Sequence, residues 1–369
     1  MAKTVQDDRK SVMEVTIPEA AEVLMDMDWG TPLMMHGPPG IGKSAIVEQA
    51  CAQVGADLRL HNLNEMEPPD LLGIPFESGK YFQYKVPYFW WQASTEPEVP
   101  EDQRGPMVLF FDDVVTASEQ NQCALSSWVH ARRNDMIKLR DNVRFVMAGN
   151  RVTDKSGVQP MPKHFGNRCL HLYLKLDSAS WLNWARLNGV HPWCVGWVRA
   201  HPQHLNTFDP DSSDEAFATA RTIHLLSNNL FKLGKEKCSS NMSLMSKVAY
   251  GLIGSVAGEF YAFVKYAEKC IPPEEIVKDP KGVRIPRVDE LDILHATVSA
   301  LEHYLREHPK YWLETLQYAL RINPDLGLIL AKQIVDVVVK KMGNAEKTKA
   351  ASCPEMNEMF KRWGNFLQQ

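Results

Sequence analysis

Apolar positions follow two regimes along the chain. As far as about Asp177, short apolar runs alternate with stretches of helical spacing. Pro32 to His36 is a short run ending in a glycine-rich turn, and Lys43 to Val54 places Ile46, Val47 and Ala50 on one helical face. Leu58 to Leu63 reads as a second strand. Met107 to Phe111 (MVLFF) is apolar throughout, as a strand buried on both faces requires. Ala117 to Arg133 has helical spacing, Val143 to Ala148 is a fourth strand, and Leu170 to Leu176 alternates as a fifth. Strands separated by helices predict an α/β domain, a five-stranded parallel sheet covered on both sides.

Beyond Asp177 the strand signals stop. Helical spacing continues, broken by Pro192, Pro202, Pro210, Pro272, Pro273, Pro280 and Pro286. Asp289 to Lys340 is one long helical tract interrupted near Pro309 and Pro324. Val248 to Val264 is the longest near-apolar stretch, but it carries Glu259 and small residues, so it predicts a buried helix and not a membrane span.

Composition narrows the function. At 369 residues the chain has room for two or three packed units of roughly 150 residues. Forty-one basic against 45 acidic residues leave a net charge of −4. That excludes coating nucleic acid by bulk charge, although a local basic channel stays open. The seven cysteines are scattered and contain no CxxC pair, which disfavours a disulfide framework or a cysteine zinc site. The first ten residues are charged, with no apolar leader, so a cytoplasmic protein without a membrane association is expected.

The chemistry is concentrated in two motifs. Gly37-Pro38-Pro39-Gly40-Ile41-Gly42-Lys43-Ser44 matches G-x-x-x-x-G-K-[ST] in full, between a predicted strand and a predicted helix. Such a loop offers backbone N–H groups and a helix N-terminus to phosphate oxygens. Lys43 would reach the β- and γ-phosphates of ATP, and Ser44 would ligate Mg²⁺. The second motif is VLFFDD, Val108 to Asp113, an apolar strand that ends in two acids. Asp112 would hold Mg²⁺ and Asp113 would polarise the attacking water; the alternative is two acids capping the next helix.

With these motifs the chain resembles the AAA+ ATPases, and within them the MoxR-like branch of bacteria and phages. The resemblance continues through DLLG (Asp70 to Gly73), MAGNR (Met147 to Arg151), MPKHFGNR (Met161 to Arg168), Trp181 to Pro192 and FATART (Phe217 to Thr222). It implies further roles. Asn150 matches sensor 1, which holds the water. Arg168 matches the arginine finger, which acts on the nucleotide of a neighbouring subunit. Arg221 matches sensor 2, although the proline usual in the family before it is absent. Asp113 stands where most such ATPases carry glutamate. Two hairpin inserts are expected, near 135–142 and near 74–91, where Tyr81, Phe82 and Tyr84 would either grip a partner chain or pack the hairpin onto its own domain.

The resemblance implies a short tail (1–10), a nucleotide-binding domain (11–176), a helical lid (177–288) and a helical C-terminal region (289–369). It also implies a homo-oligomeric ring, most often hexameric, that remodels a protein partner, frequently one with a von Willebrand factor A-type domain. Three other readings use the same phosphate loop: a motor or loader on nucleic acid, a small-molecule kinase, and a nucleotide-binding scaffold with little turnover. The four tryptophans Trp181, Trp184, Trp193 and Trp197 recur at helical spacing and are expected in the helical core.

Overall fold

The computed structural model describes residues 13–96, 98–134, 137–154, 157, 161–240 and 242–367. The chain divides into two compact units. The first runs through Asp177 and takes in Phe208–Ser213; the second comprises Ser178–Thr207 and the chain from Asp214.

In the first unit, β1 (Glu14–Val15) and α1 (Ile17–Asp26) lead to β2 (Leu33–His36), α2 (Lys43–Val54) and β3 (Asp57–Asn62). Then come α3 (Pro68–Leu72), β4 (Ile74–Ser78), β5 (Tyr81–Lys85) and α4 (Tyr88–Gln92). The unit closes with β6 (Met107–Asp112), α5 (Glu119–Ala131), β7 (Val143–Gly149), α6 (Lys163–Gly166) and β8 (Leu170–Leu174). The main sheet is parallel, in the order β1-β8-β2-β7-β6-β3.

The sheet therefore has six strands where the sequence predicts five. The addition is β1, two residues paired with Tyr173 and Leu174 of β8. A two-residue edge strand has no room for a periodicity, so only its pairing reveals it. The unbroken apolar run of β6 is explained by burial on both faces. Met107, Leu109 and Phe111 join one core cluster with Leu125, Trp128, Phe145 and Phe165. Val108 and Phe110 join the other, with Ile46, Val47, Leu33 and Met35.

The hairpin expected over 74–91 is shorter. It runs from Ile74 paired with Lys85 to Ser78 paired with Tyr81, and the remainder, Tyr88–Gln92, is α4. Trp90 explains the change: it is fully buried, stacks on Trp128 at 4.2 Å and donates to the Leu71 carbonyl. Trp128 donates to that same carbonyl, so the hairpin's base is fixed to α5. Its aromatics face outward: Tyr81, Phe82 and Tyr84 are all exposed, Phe82 by 74%. Of the second expected hairpin, Asp135 and Met136 lie outside the described residues. The flanking chain forms an antiparallel bridge between Arg133 and Lys138.

The second unit is helical: α7 (Ser178–Leu187), α8 (Pro192–Ala200), α9 (Ala220–Ser240), α10 (Met242–Ile253), α11 (Ala257–Ala267), α12 (Pro273–Lys278), α13 (Leu291–Glu307), α14 (Trp312–Ala319), α15 (Pro324–Lys341), α16 (Asn344–Ala351) and α17 (Pro354–Leu367). The single helix expected across Val248–Val264 is two, separated at Gly254, which forms a bridge with Phe217. Among the described residues no helix is long and apolar enough to cross a membrane. Trp197 is fully buried and Trp181 nearly so, with Trp184 and Trp193 half-buried.

Buried histidines are expected to add acid sensitivity to this unit, His191 with the largest shift. His191 caps α8 by accepting at Nδ1 from the Trp193 N–H, 3.2 Å away, and its ring lies against Trp193 and Phe231. Burial, with the neighbouring His303 acting the same way, pushes its pKa down to about 3. Between that value and the ordinary 6.5 the unfolded chain binds a proton that the folded chain does not. Stability is therefore full above pH ~6.5 and falls as pH drops through the window, by up to about 1.4 kcal/mol per pH unit. His191→Asn keeps a capping acceptor without the titration, so its melting temperature should fall less than the parent's between pH 7 and 5. Equal acid sensitivity in both proteins would refute the assignment.

Candidate active site

Three strands end side by side at the sheet's C-terminal edge, where open parallel sheets bind ligands. β2 lies between β7 and β8, with His36 opposite Gly149 and Tyr173. β6 lies on the far side of β7 and ends in Asp112. Gly37 continues the β2 ladder by one bond, N–H to the Gly149 carbonyl at 3.3 Å.

The loop then turns through Pro38 and Pro39 to Gly40, φ +73°. Ile41 is buried in the core cluster and anchors the loop. Gly42 caps α2 at φ +109°, and a side chain there would meet open space. Glycine is thus required by the backbone angle, not by crowding. No side chain caps α2 and no acid occupies its first turn, so its positive end is left to a ligand.

Lys43 starts α2 with its side chain folded back under the loop. Nζ donates to the carbonyls of Gly37 (2.9 Å) and Pro38 (3.2 Å) and to Asn150 Oδ1 (2.9 Å). Lys43 is only 8% exposed, and Asn150 directly follows β7. Ser44 Oγ donates to Asp112 Oδ2 at 2.7 Å, while Asp112 Oδ1 accepts from the Asp113 N–H at 2.9 Å. Lys43, Ser44, Asp112 and Asn150, scattered over the sequence, are thus joined pairwise across three strand ends.

These groups suit Mg²⁺ and ATP. A hydroxyl and a carboxylate oxygen in contact are hard ligands, and Mg²⁺ takes few protein oxygens because water and phosphate supply the rest. Among the described residues no cluster of three or more His, Cys, Asp or Glu could hold a metal by itself. Ser44 and Asp112 would hold the ion.

Asp113 has φ +55°, one of two non-glycine residues with positive φ among the described residues. Its carbonyl accepts from Thr116 N–H (3.1 Å) and Oγ (2.9 Å), which closes the turn after β6. Aspartate tolerates this left-handed region better than glutamate, which gives a backbone reason for Asp at this position.

Sequence reasoning passes over Gly149. A Cβ there would lie 2.4 Å from Val115 Cγ2, so only glycine lets the turn carrying Asp113 pack against the strand end before Asn150. Arg168 follows α6 on an exposed turn, its N–H bonded to the Phe165 carbonyl, and its guanidinium has no ion pair among the described residues. Neighbouring Cys169 is a neutral thiol, pushed up to about 11 by burial against the opposing pull of Arg168. Arg221 lies in the second unit, exposed on the first turn of α9.

Known proteins share the site-bearing segment. Residues 33–157 match the family described as "ATPase family associated with various cellular activities (AAA)". The matched stretch holds the phosphate loop, both acids and Asn150, on the parallel α/β core. A midasin from Giardia intestinalis is 27% identical over 183 residues, which is 47% of this chain and 4% of that protein. A solved structure of a candidate ATPase from Cytophaga hutchinsonii aligns over 78% of this chain and 75% of its own, at 14% identity and a TM-score of 0.34.

Proposed function

We propose that the chain is a MoxR-like AAA+ ATPase which hydrolyses ATP at the subunit interfaces of a homo-oligomeric ring and uses the energy to remodel a protein partner. The observation that carries this reading is the contact set at the sheet edge, Lys43 on Asn150 and Ser44 on Asp112. A small-molecule kinase has no need of an asparagine at the strand end beside its phosphate loop, whereas an ATPase that holds a water beside the γ-phosphate would use one there.

In this reading Lys43 releases its loop carbonyls and faces the β- and γ-phosphates. Asn150 and Asp113 together orient the attacking water, Asp113 accepting its proton. Ser44 and Asp112 would hold Mg²⁺, which would supply positive charge to the phosphate oxygens. Arg168, exposed and without an ion pair among the described residues, would reach a neighbour's nucleotide, and Arg221 would contact the nucleotide of its own subunit. Residues 11–176 would form the nucleotide-binding domain, 177–288 the lid and 289–369 the remaining helical region. The exposed Tyr81, Phe82 and Tyr84 suit a grip on a polypeptide partner, for which a von Willebrand factor A-type protein is the family expectation.

Asp113→Asn tests the chemistry without disturbing the backbone, because asparagine also adopts positive φ readily. The variant should bind ATP like the parent and hydrolyse it about 10²- to 10⁴-fold more slowly. Asp113→Glu should retain turnover at some cost in stability, since glutamate is less tolerant of φ +55°. A steady-state phosphate-release assay with an ATP-binding titration decides the matter. Normal turnover by Asp113→Asn would assign the water to another group.

A further inference from the structure

The strand that leads into the phosphate loop is wired to the turn that presents Arg168. His36, the last residue of β2, stacks on His171 (5.1 Å, 16°) and Tyr173 (4.7 Å, 15°), which share one face of the neighbouring β8. His36 Nε2 lies 2.8 Å from His171 Nδ1, and His171 Nε2 lies 2.8 Å from the Gly166 carbonyl oxygen.

The acceptor at one end fixes the protons. A carbonyl only accepts, so His171 Nε2 carries hydrogen. In the neutral ring Nδ1 then accepts, and the donor is His36 Nε2–H. The order is His36 to His171 to Gly166. Gly166 ends α6, a helix of four residues, too short to hold its own shape. Its turn is closed by Arg168 N–H on the Phe165 carbonyl and Cys169 N–H on the Gly166 carbonyl, both 3.1 Å. Phe165 is buried, while Asn167 and Arg168 are exposed. The Cys169 thiol adds a bond to the Phe165 carbonyl at 3.5 Å from within the turn, whereas the His171 bond, at 2.8 Å, comes from the strand beside the phosphate loop.

We propose that His171 is a positioning residue for Arg168, held in its working tautomer by His36. The placement of Arg168 toward a neighbour thereby depends on the strand that carries the same subunit's phosphate loop. This rests on the reading of Arg168 as a finger acting in trans.

The test uses full-length protein in verified assemblies. His171→Phe keeps a stacked ring but no hydrogen bond; His171→Gln keeps an amide N–H able to reach Gly166. His171→Phe should bind ATP with unchanged affinity and lose turnover by roughly 10- to 10²-fold, as misplacement of a reacting group by about an ångström does. His171→Gln should recover a substantial part.

Mixing then separates the roles. Arg168→Ala with Lys43→Ala should regain activity, because some intact nucleotide sites will face an intact Arg168. His171→Phe should likewise regain activity with Lys43→Ala, but not with Arg168→Ala. Wild-type turnover in His171→Phe, or Gln no better than Phe, overturns the tie. So does failure to complement Lys43→Ala while Arg168→Ala succeeds. If the Arg168→Ala and Lys43→Ala pair itself stays inactive, the trans reading falls and takes this inference with it.

Discussion

Lys43→Ala is expected to abolish tight ATP binding and, with it, all turnover. The side chain supplies the buried positive charge at the loop, poised under the carbonyls of Gly37 and Pro38. Its removal takes away the group that meets two phosphates and leaves Asn150 Oδ1 without that donor. Truncating one partner of a buried, hydrogen-bonded charge pair costs about 2–5 kcal/mol, which is roughly 30-fold to several thousandfold in Kd. Equilibrium titration with labelled ATP measures this directly. Lys43→Arg should not rescue, because a planar fork does not fit where a compact ammonium lies between carbonyls. An affinity within about threefold of the parent would refute the phosphate-loop assignment, since the lysine and the phosphates would then not interact.

Much of this site is legible in the sequence because its physics is local. A strand, a glycine loop and a helix N-terminus are consecutive, so GPPGIGKS carries its own context. MVLFF followed by two acids is legible for a similar reason: full burial removes the alternation, and the acids mark where the strand reaches the sheet edge. What the sequence hides is pairing. β1 exists only through its bond to β8, more than 150 residues later. His36 and His171 are 135 residues apart and carry no motif, yet lie 2.8 Å apart because β2 and β8 are neighbours. Gly149 is one residue among many until Val115 is found over it. Trp90 reads as part of a hairpin by alternation, but its indole N–H needs a buried acceptor and finds one in the Leu71 carbonyl from a helical segment. The contact between Lys43 and Asn150 is likewise invisible from spacing, although the family resemblance nominates both residues.

Arg168→Ala should show the largest loss of turnover with no loss of binding. The residue is exposed and without an ion pair among the described residues, so its removal should alter stability by less than about 0.5 kcal/mol. A drop in activity therefore cannot be charged to folding. An arginine finger neutralises charge on the transferred phosphoryl only in the transition state, and supplying one is worth about 10³- to 10⁵-fold in kcat. Arg168→Ala is expected to lose at least the lower figure while its Kd for ATP is unchanged. Lysine should restore little, because a point charge cannot reproduce the planar fork. If the finger acts across an interface, parent activity per subunit must also rise with protein concentration and level off once assembly, followed by light scattering, is complete. Arg168→Ala should assemble along the same curve and remain inactive throughout. A parent whose specific activity is independent of concentration and that remains monomeric while turning over would remove the interface from the mechanism. A small-molecule kinase built on the same loop would then be the better reading of Lys43, Ser44 and Asp112.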